Sequence, residues 1–314
     1  MRFKITLTPD KRVFGYALPI NYQYELSSFI YHTLACADAE YSTWLHENGF
    51  VTDTKRFKLF SFSNLIFPAY KIVSDRIEIL SERVAFIVSF LPERSTEEFI
   101  RGLFSEQTFC LGDKNSKVQF SVSGIELLPQ PDFSIAHEYT TLSPVCITHR
   151  VADSDRVIYE APDSGYAREA LLMNLKNKYA AFTGKPYEGG DEFVFELLAP
   201  PRSKLIAIKT NTLQQTKVKG YMFNFRLRAS HQLMEVMYNA GLGEKGSLGF
   251  GEVMISSELK KINDSLRARQ FFFEQALRRP AKQNINKLKK AIDSCKRLQK
   301  CWKAPQNKIE KSQE

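Results

Sequence analysis

The sequence predicts an α+β protein built from two tandem βαββαβ units, residues 1–130 and 131–257, followed by a basic helical extension over 258–314. Three observations predict it. Short segments of period-two alternation, the signature of strands, are interleaved with segments of 3.6-residue apolar periodicity, the signature of helices. The same order of segments recurs after Leu128-Pro129-Gln130-Pro131-Asp132, a proline-rich break that suits a linker. Past residue 257 the pattern changes to two amphipathic helical stripes, Ile262, Leu266, Phe273 and Leu277, then Ile285, Leu288, Ile292, Cys295 and Trp302, with Lys and Arg crowding the outer faces.

In the first unit, Phe3, Ile5 and Leu7 alternate with Arg2, Lys4 and Thr6, which predicts a half-buried strand. A turn follows around Gly15 and Pro19. Leu26, Phe29, Ile30, Leu34 and Ala37 mark one face of a helix. Asp38 caps a short second helix carrying Tyr41, Trp44 and Leu45, and Gly49 closes it. Strands are expected at Phe57–Phe62, Lys71–Leu80 and Val84–Phe90. Ser95-Thr96-Glu97-Glu98 reads as a capping box opening a helix with Phe99, Ile100, Leu103 and Phe104 inward. Val118 to Leu128 returns as a strand, completing the ferredoxin-like (RRM-like) order.

The second unit repeats the order without a literal sequence repeat. A strand is expected near Tyr139–His149, and a helix with Ala167, Leu171, Leu175 and Phe182 on one face. Strands follow at Phe193–Leu198 and Leu205–Ile208. Tyr221, Phe223, Phe225 and Leu227 form one face of a long strand, opposed by Asn224, Arg226 and Arg228. Ser230 caps a helix with Leu233, Val236, Met237 and Ala240 in register, and a strand from Phe250 to Ile255 closes the unit.

Composition bounds the function. The chain has 314 residues, enough for about two domains, and 43% hydrophobic content, enough for ordinary cores. No apolar run approaches the ~20 residues of a membrane span, so no membrane partner is expected. Five cysteines without a C-x-x-C pair fit a reduced cytoplasm and give no zinc pattern. The net charge of +9 is concentrated: residues 258–314 hold 16 Lys/Arg against 6 Asp/Glu, a balance of +10, which leaves the remainder at −1. A polyanionic partner follows from that asymmetry.

Between the last predicted helix and strand runs Gly241-Leu242-Gly243-Glu244-Lys245-Gly246-Ser247-Leu248-Gly249-Phe250-Gly251. Its first six residues satisfy G-x-G-x-x-G, but a dinucleotide loop leaves a strand and opens a helix. Here a helix ends and a strand begins, the wrong end of a helix dipole for a pyrophosphate. Five glycines exceed the need of one αβ turn and leave the backbone free to approach a ligand.

This loop resembles the glycine-rich loop of the RAMP superfamily of CRISPR proteins, and more narrowly that of the CRISPR repeat-processing endoribonucleases. Leu18-Pro19-Ile20-Asn21-Tyr22-Gln23-Tyr24 is similar to that family's opening. Lys58-Leu59-Phe60-Ser61-Phe62-Ser63 resembles its K-x-F-T-[FY]-S strand, and Leu142-Ser143-Pro144-Val145 its L-S-P-[IV] segment. The resemblance covers most of residues 1–256 and leaves the tail out. It implies binding of CRISPR repeat RNA and cleavage of the precursor within each repeat, without metal or cofactor. The products would be a 2′,3′-cyclic phosphate and a 5′-hydroxyl. A non-catalytic RNA-binding subunit of a CRISPR effector complex shares the fold and loop and is the alternative. Monomer and homodimer both remain open.

Cleavage by the RNA's own 2′-hydroxyl needs a base, an acid for the leaving 5′-oxygen and a cation for developing charge. By spacing alone His46, at a helix end, reads as a surface residue or cap. The resemblance implies that it is the catalytic histidine, because Trp44-Leu45-His46-Glu47 matches the family's Tyr/Trp-Leu-His-Glu context. Tyr31 matches the family's helical tyrosine, yet its spacing suits a core wall equally well. Lys58 matches the family's strand lysine, with Lys55 and Arg56 near enough to substitute. For RNA binding the candidates are Gly241, Gly243, Lys245, Gly246, Gly249 and Gly251 of the loop, Arg226 and Arg228 on one strand face, and His231 at a helix start. Each of these side chains serves equally as a solvated surface group. His32, His137 and His149 carry no recognisable pattern, and no metal-hydrolase or serine-hydrolase motif is present.

Overall fold

The computed structural model describes residues 1–52, 55–150, 157–190, 192–210, 212–268 and 270. Residues Met1–Asp264 form one unit, and the second unit, Ser265–Glu314, lies almost wholly outside the described residues. The helix of residues 256–268 begins the expected extension, and the stripe of Ile285, Leu288, Ile292, Cys295 and Trp302 lies outside the described residues.

Two ferredoxin-like halves fill the first unit. In the first sheet, Arg2–Asp10 (β1) runs between Val84–Phe90 (β3) and Lys117–Leu128 (β5), with Phe60–Phe62 (β2) on one edge and Thr108–Gly112 (β4) on the other. Every pairing is antiparallel. Helices Gln23–Ala37 (α1) and Glu93–Ser105 (α3) supply Leu26, Phe29, Ile30, Leu34, Phe99 and Leu103 to the core against Ile5, Phe86 and Phe120. The second sheet follows the same plan: His137–Thr141 (β6) runs between Asn224–Ala229 (β8) and Val253–Ile255 (β9), with Phe193–Leu197 (β7) beyond β8. Helices Ala167–Thr183 (α4) and His231–Ala240 (α5) bury Leu171, Leu175, Leu233 and Met237 against Tyr139, Phe225 and Leu227. Between α1 and β2, the short helix Ala39–Glu47 (α2) starts where Asp38 accepts the Tyr41 amide at 2.9 Å. No helix among the described residues is long and apolar enough to cross a membrane.

Several elements differ from the sequence expectation, each for a local reason. Arg2, Lys4 and Thr6 are buried along with Phe3, Ile5 and Leu7. Phe104 is 67% exposed, because it stands one position past the buried Leu103 and so on a different face of the helix, and α3 starts at Glu93, before the expected Ser95 cap. The expected strand Lys71–Leu80 is a hairpin, Tyr70–Val73 with Arg76–Ile79, that reverses at Ser74 with φ +55°. Tyr139–His149 is interrupted after Thr141. The expected single strand through Tyr221–Leu227 belongs to two sheets. Thr216–Met222 pairs with Arg202–Ile208 in a separate ribbon, and β8 begins at Asn224. Phe182 is exposed, and β4 was not expected.

The halves are joined by buried charge. Glu252, fully buried just before β9, accepts hydrogen bonds from the Ser61 and Ser89 hydroxyls of the first sheet, Ser89 at 2.6 Å. Its carboxylate lies 3.1 Å from the Arg2 guanidinium, also buried. Arg2 also donates to the Val253 carbonyl at 2.6 Å and to the Tyr238 carbonyl, and its guanidinium sits 3.5 Å from the centre of the Tyr238 ring. Burial holds the Glu252 carboxyl above its ordinary range, against the opposing pull of Arg2 and the two serines.

A buried ion pair adds little net stability, yet removing one partner leaves an uncompensated charge. Arg2→Met should therefore destabilise the protein by about 3–5 kcal/mol in denaturant unfolding. The double replacement Arg2→Met/Glu252→Leu should recover much of the loss. Additive losses in the double variant would show that the two side chains are not coupled.

Candidate active site

The glycine stretch packs on protein along most of its length. Gly241, Gly243, Gly249 and Gly251 all have φ near +80°, a conformation that costs other residues dearly. A β-carbon at Gly246 would stand 2.5 Å from the Phe60 carbonyl, and one at Gly249 2.8 Å from the Phe62 ring. The glycines thus let the loop lie against β2 of the other half. Ser27 of α1 donates to the Ser247 carbonyl at 2.6 Å, fixing the loop from the helix side.

From within the second half, Lys178 of α4 holds the same loop. It is buried and donates to the carbonyls of Ala240, Gly241 and Gly243 at 3.1, 2.6 and 2.8 Å. It thereby fills the role of a cation at a helix C-terminus, satisfying carbonyls that α5 leaves without partners. Burial pushes the Lys178 ammonium down to about 7, against the attraction of Glu244 and Glu252.

Three of the sequence candidates meet beside this loop. Tyr31 on α1 and His46 in the last turn of α2 stand edge to face, ring centres 5.0 Å apart. The Tyr31 hydroxyl is hydrogen-bonded to the Ser247 side chain, and burial pushes it up to about 12 despite that bond. Lys58 donates to the His46 carbonyl at 2.6 Å. Burial, and then the nearby Arg56, pull the Lys58 ammonium below its ordinary value. Gly49 makes that reach feasible, because a β-carbon there would lie 3.2 Å from the Lys58 Nζ and 2.5 Å from the Phe57 carbonyl. Leu59, next in sequence, holds φ at +53°, and across the cleft Lys245 holds +63°. Strained backbone of this kind persists where the surroundings over-determine it.

Lys58 and Ser247 open onto a cleft of about 660 Å³ whose wall also carries Lys55, Arg56 and Lys245. Glu244 is its acidic member, 3.6 Å from the Lys55 ammonium. Arg226, Arg228 and His231 do not line it. Arg226 is paired with Glu138 and Glu196, both at 2.9 Å, and Arg228 with Glu192 at 3.0 Å. His231 packs edge-on against Phe133. Sequence reasoning missed Ser247, Gly49 and Lys178. Lys178 had a signal: it falls seven residues after Leu171 and three after Leu175, so a charge stood on the inward stripe.

Comparison with known proteins decides the family. Residues 17–126 match the family described as "CRISPR-associated protein Cas6, N-terminal", and residues 128–255 match "CRISPR associated protein Cas6, C-terminal". The chain belongs to the Cas6 family. It is similar to the CRISPR-associated endoribonuclease Cas6 1 of Methanocaldococcus jannaschii, 27% identical over 272 residues, covering 86% of this chain and 98% of that protein. It is also similar to the CRISPR-associated endoribonuclease Cas6 of Pyrococcus furiosus, 28% identical over 258 residues, covering 81% and 90%. The solved structure of a Cas6-related gene product from Pyrococcus furiosus superposes with a TM-score of 0.69 at 24% identity, covering 82% of this chain and 99% of that one. The Cas6 match therefore spans both ferredoxin-like halves and stops before the basic tail.

The buried lysine makes a test of the loop's anchorage. Its folded pKa lies below the unfolded value, so the unfolded chain binds more protons between about pH 7 and pH 10. Stability should therefore rise with pH across that window, and the neutral amine keeps two N–H donors for the carbonyls. In Lys178→Met this part of the rise should vanish, read as the difference between the two unfolding curves against pH. Parallel curves would show that Lys178 does not titrate in that window.

Proposed function

We propose that this Cas6-family chain is an endoribonuclease that binds CRISPR repeat RNA and cleaves the precursor transcript within each repeat. The observation that carries the mechanism is the convergence of Tyr31 and His46 on Lys58 and Ser247, the latter two lining a cationic cleft. The 2′-oxygen, releasing its proton to solvent water, attacks the adjacent phosphorus while the bond from phosphorus to the 5′-oxygen breaks. The products are a 2′,3′-cyclic phosphate and a 5′-hydroxyl.

His46 donates the proton that the leaving 5′-oxygen takes up. It is exposed in the last turn of α2, beside Tyr31 and Lys58. Lys58 stabilises the charge that gathers on the phosphoryl oxygens, and its partial burial strengthens that interaction. Tyr31, with its hydroxyl held near 12, keeps its proton at neutral pH and orients the 2′-hydroxyl by hydrogen bonding. The loop's Lys245 and the wall's Lys55 and Arg56 grip the phosphate backbone, which supplies affinity without reading sequence.

Two measurements test this reading. His46→Ala should lower the single-turnover cleavage rate by about 10²-fold or more, as loss of a general acid does, with RNA affinity nearly unchanged. Matched losses of affinity and rate would make His46 a binding residue. Separately, a single 2′-deoxy nucleotide 5′ of the cut should block cleavage while binding persists. EDTA should leave the rate unchanged at a temperature well below the unfolding midpoint. Normal cutting of the deoxy substrate, or inhibition by EDTA, would refute attack by the RNA's own hydroxyl without metal.

A further inference from the structure

On α1, one residue past Tyr31 and pointing to a different face, His32 belongs to a second cluster. His32 and Cys36 are four residues apart and so share one side of the helix. Across from them stands Glu106, the C-cap of α3. His32 Nε2 lies 2.8 Å from Glu106 Oε2, Cys36 Sγ lies 3.6 Å from His32 Nε2, and Cys36 Sγ lies 3.5 Å from Glu106 Oε2. All three residues are exposed, and the Cys36 thiol is free.

These separations suit a tetrahedral ion. Zinc binds thiolate sulfur at about 2.3 Å and imidazole nitrogen or carboxylate oxygen at about 2.0–2.2 Å, so the edges of its tetrahedron measure roughly 3.3–3.6 Å. Two of the three observed edges already fall there. The third, the contact between His32 and Glu106, opens by about half an ångström when an ion enters, well within the play of exposed side chains.

The backbone beneath the cluster is fixed. Helices α1 and α3 cross so closely that a β-carbon at Gly102 would stand 1.8 Å from the Thr33 carbonyl. The Glu106 amide donates to the Gly102 carbonyl at 3.0 Å. The crossing that only glycine permits thus sets Glu106 opposite the face carrying His32 and Cys36. Ligands on the ends of packed helices are pre-placed, as a metal site needs.

We propose that His32, Cys36 and Glu106 bind one zinc-class divalent ion, with three protein ligands and a fourth position open to water. The ion staples the helix that carries Tyr31 to the C-terminus of α3. It stands apart from the proposed chemistry, which uses none of these three side chains, so this proposal and the reading of the active site fail separately.

The test uses the full-length protein, reduced and stripped of metal, titrated with cobalt(II) as a spectroscopic substitute for zinc. One equivalent should produce a thiolate-to-cobalt charge-transfer band that zinc then abolishes by displacement. Cys36→Ser should lose the band and Cys110→Ser, an exposed cysteine outside the cluster, should keep it. His32→Gln and Glu106→Gln should each weaken zinc affinity by about tenfold or more. Zinc should raise the melting temperature of the native chain and leave that of Cys36→Ser unchanged. Since all three side chains are exposed, the variants should melt with the native chain when metal is absent. Absence of the band in the native chain, or its survival in Cys36→Ser, would overturn the proposal.

Discussion

The carboxylate of Glu252 is the constraint on which the rest depends. It comes from the second half but lies among Arg2, Ser61 and Ser89 of the first. A charge buried this deeply tolerates no slack, because every lost partner exposes a desolvation cost of several kcal/mol. The two halves can therefore dock in one register only. That register brings the glycine loop onto β2, sets Ser247 against Tyr31 and closes the cationic cleft around Lys58. The proposed active site is a seam, and the ion pair beneath it aligns the two edges.

The glycines of the loop answer to the same constraint. Their positive φ values and missing β-carbons let the chain lie on the Phe60 carbonyl and the Phe62 ring. Lys178 then gathers three carbonyls from the end of α5 and the start of the loop. Backbone on one side and an ammonium on the other leave the loop one conformation, which presents Lys245 and Ser247 toward the cleft. Glycine richness serves close packing between halves first, and any approach of RNA follows from where that packing places the side chains.

Much of this was legible from the sequence, and the exceptions share a cause. Periodicity located both helices of each half and most strands, since those depend on a face pressed against a local core. It misjudged β1, because Arg2 looks like a solvated group until Tyr238, Glu252 and Val253 of the other half surround it. It joined Tyr221 to Leu227 in one strand, because alternation continues smoothly across Phe223 while the pairing partner changes. His46 became a catalytic candidate by its Trp-Leu-His-Glu context, since spacing alone favours a surface residue. Ser247 and Glu252 were invisible for a plainer reason: their roles exist only between segments distant in the chain.

The environment of Tyr31 narrows what the site can do. A hydroxyl driven up to about 12 by burial is a poorer base than a free tyrosine near ~10, so general-base catalysis by Tyr31 is disfavoured at neutral pH. The same burial makes it a better fixed donor, because a neutral hydroxyl wedged between His46, Phe60 and Ser247 has little freedom to turn away. Rate enhancement then comes chiefly from orientation and from charge placed in advance. In the proposed mechanism the nucleophile is aligned by Tyr31, the leaving oxygen is met by His46, and the phosphoryl charge is met by Lys58, which is held through the His46 carbonyl. Because Lys58 is tied to the backbone of the proposed acid, His46, the two side chains shift together, and a displacement of α2 would remove both at once.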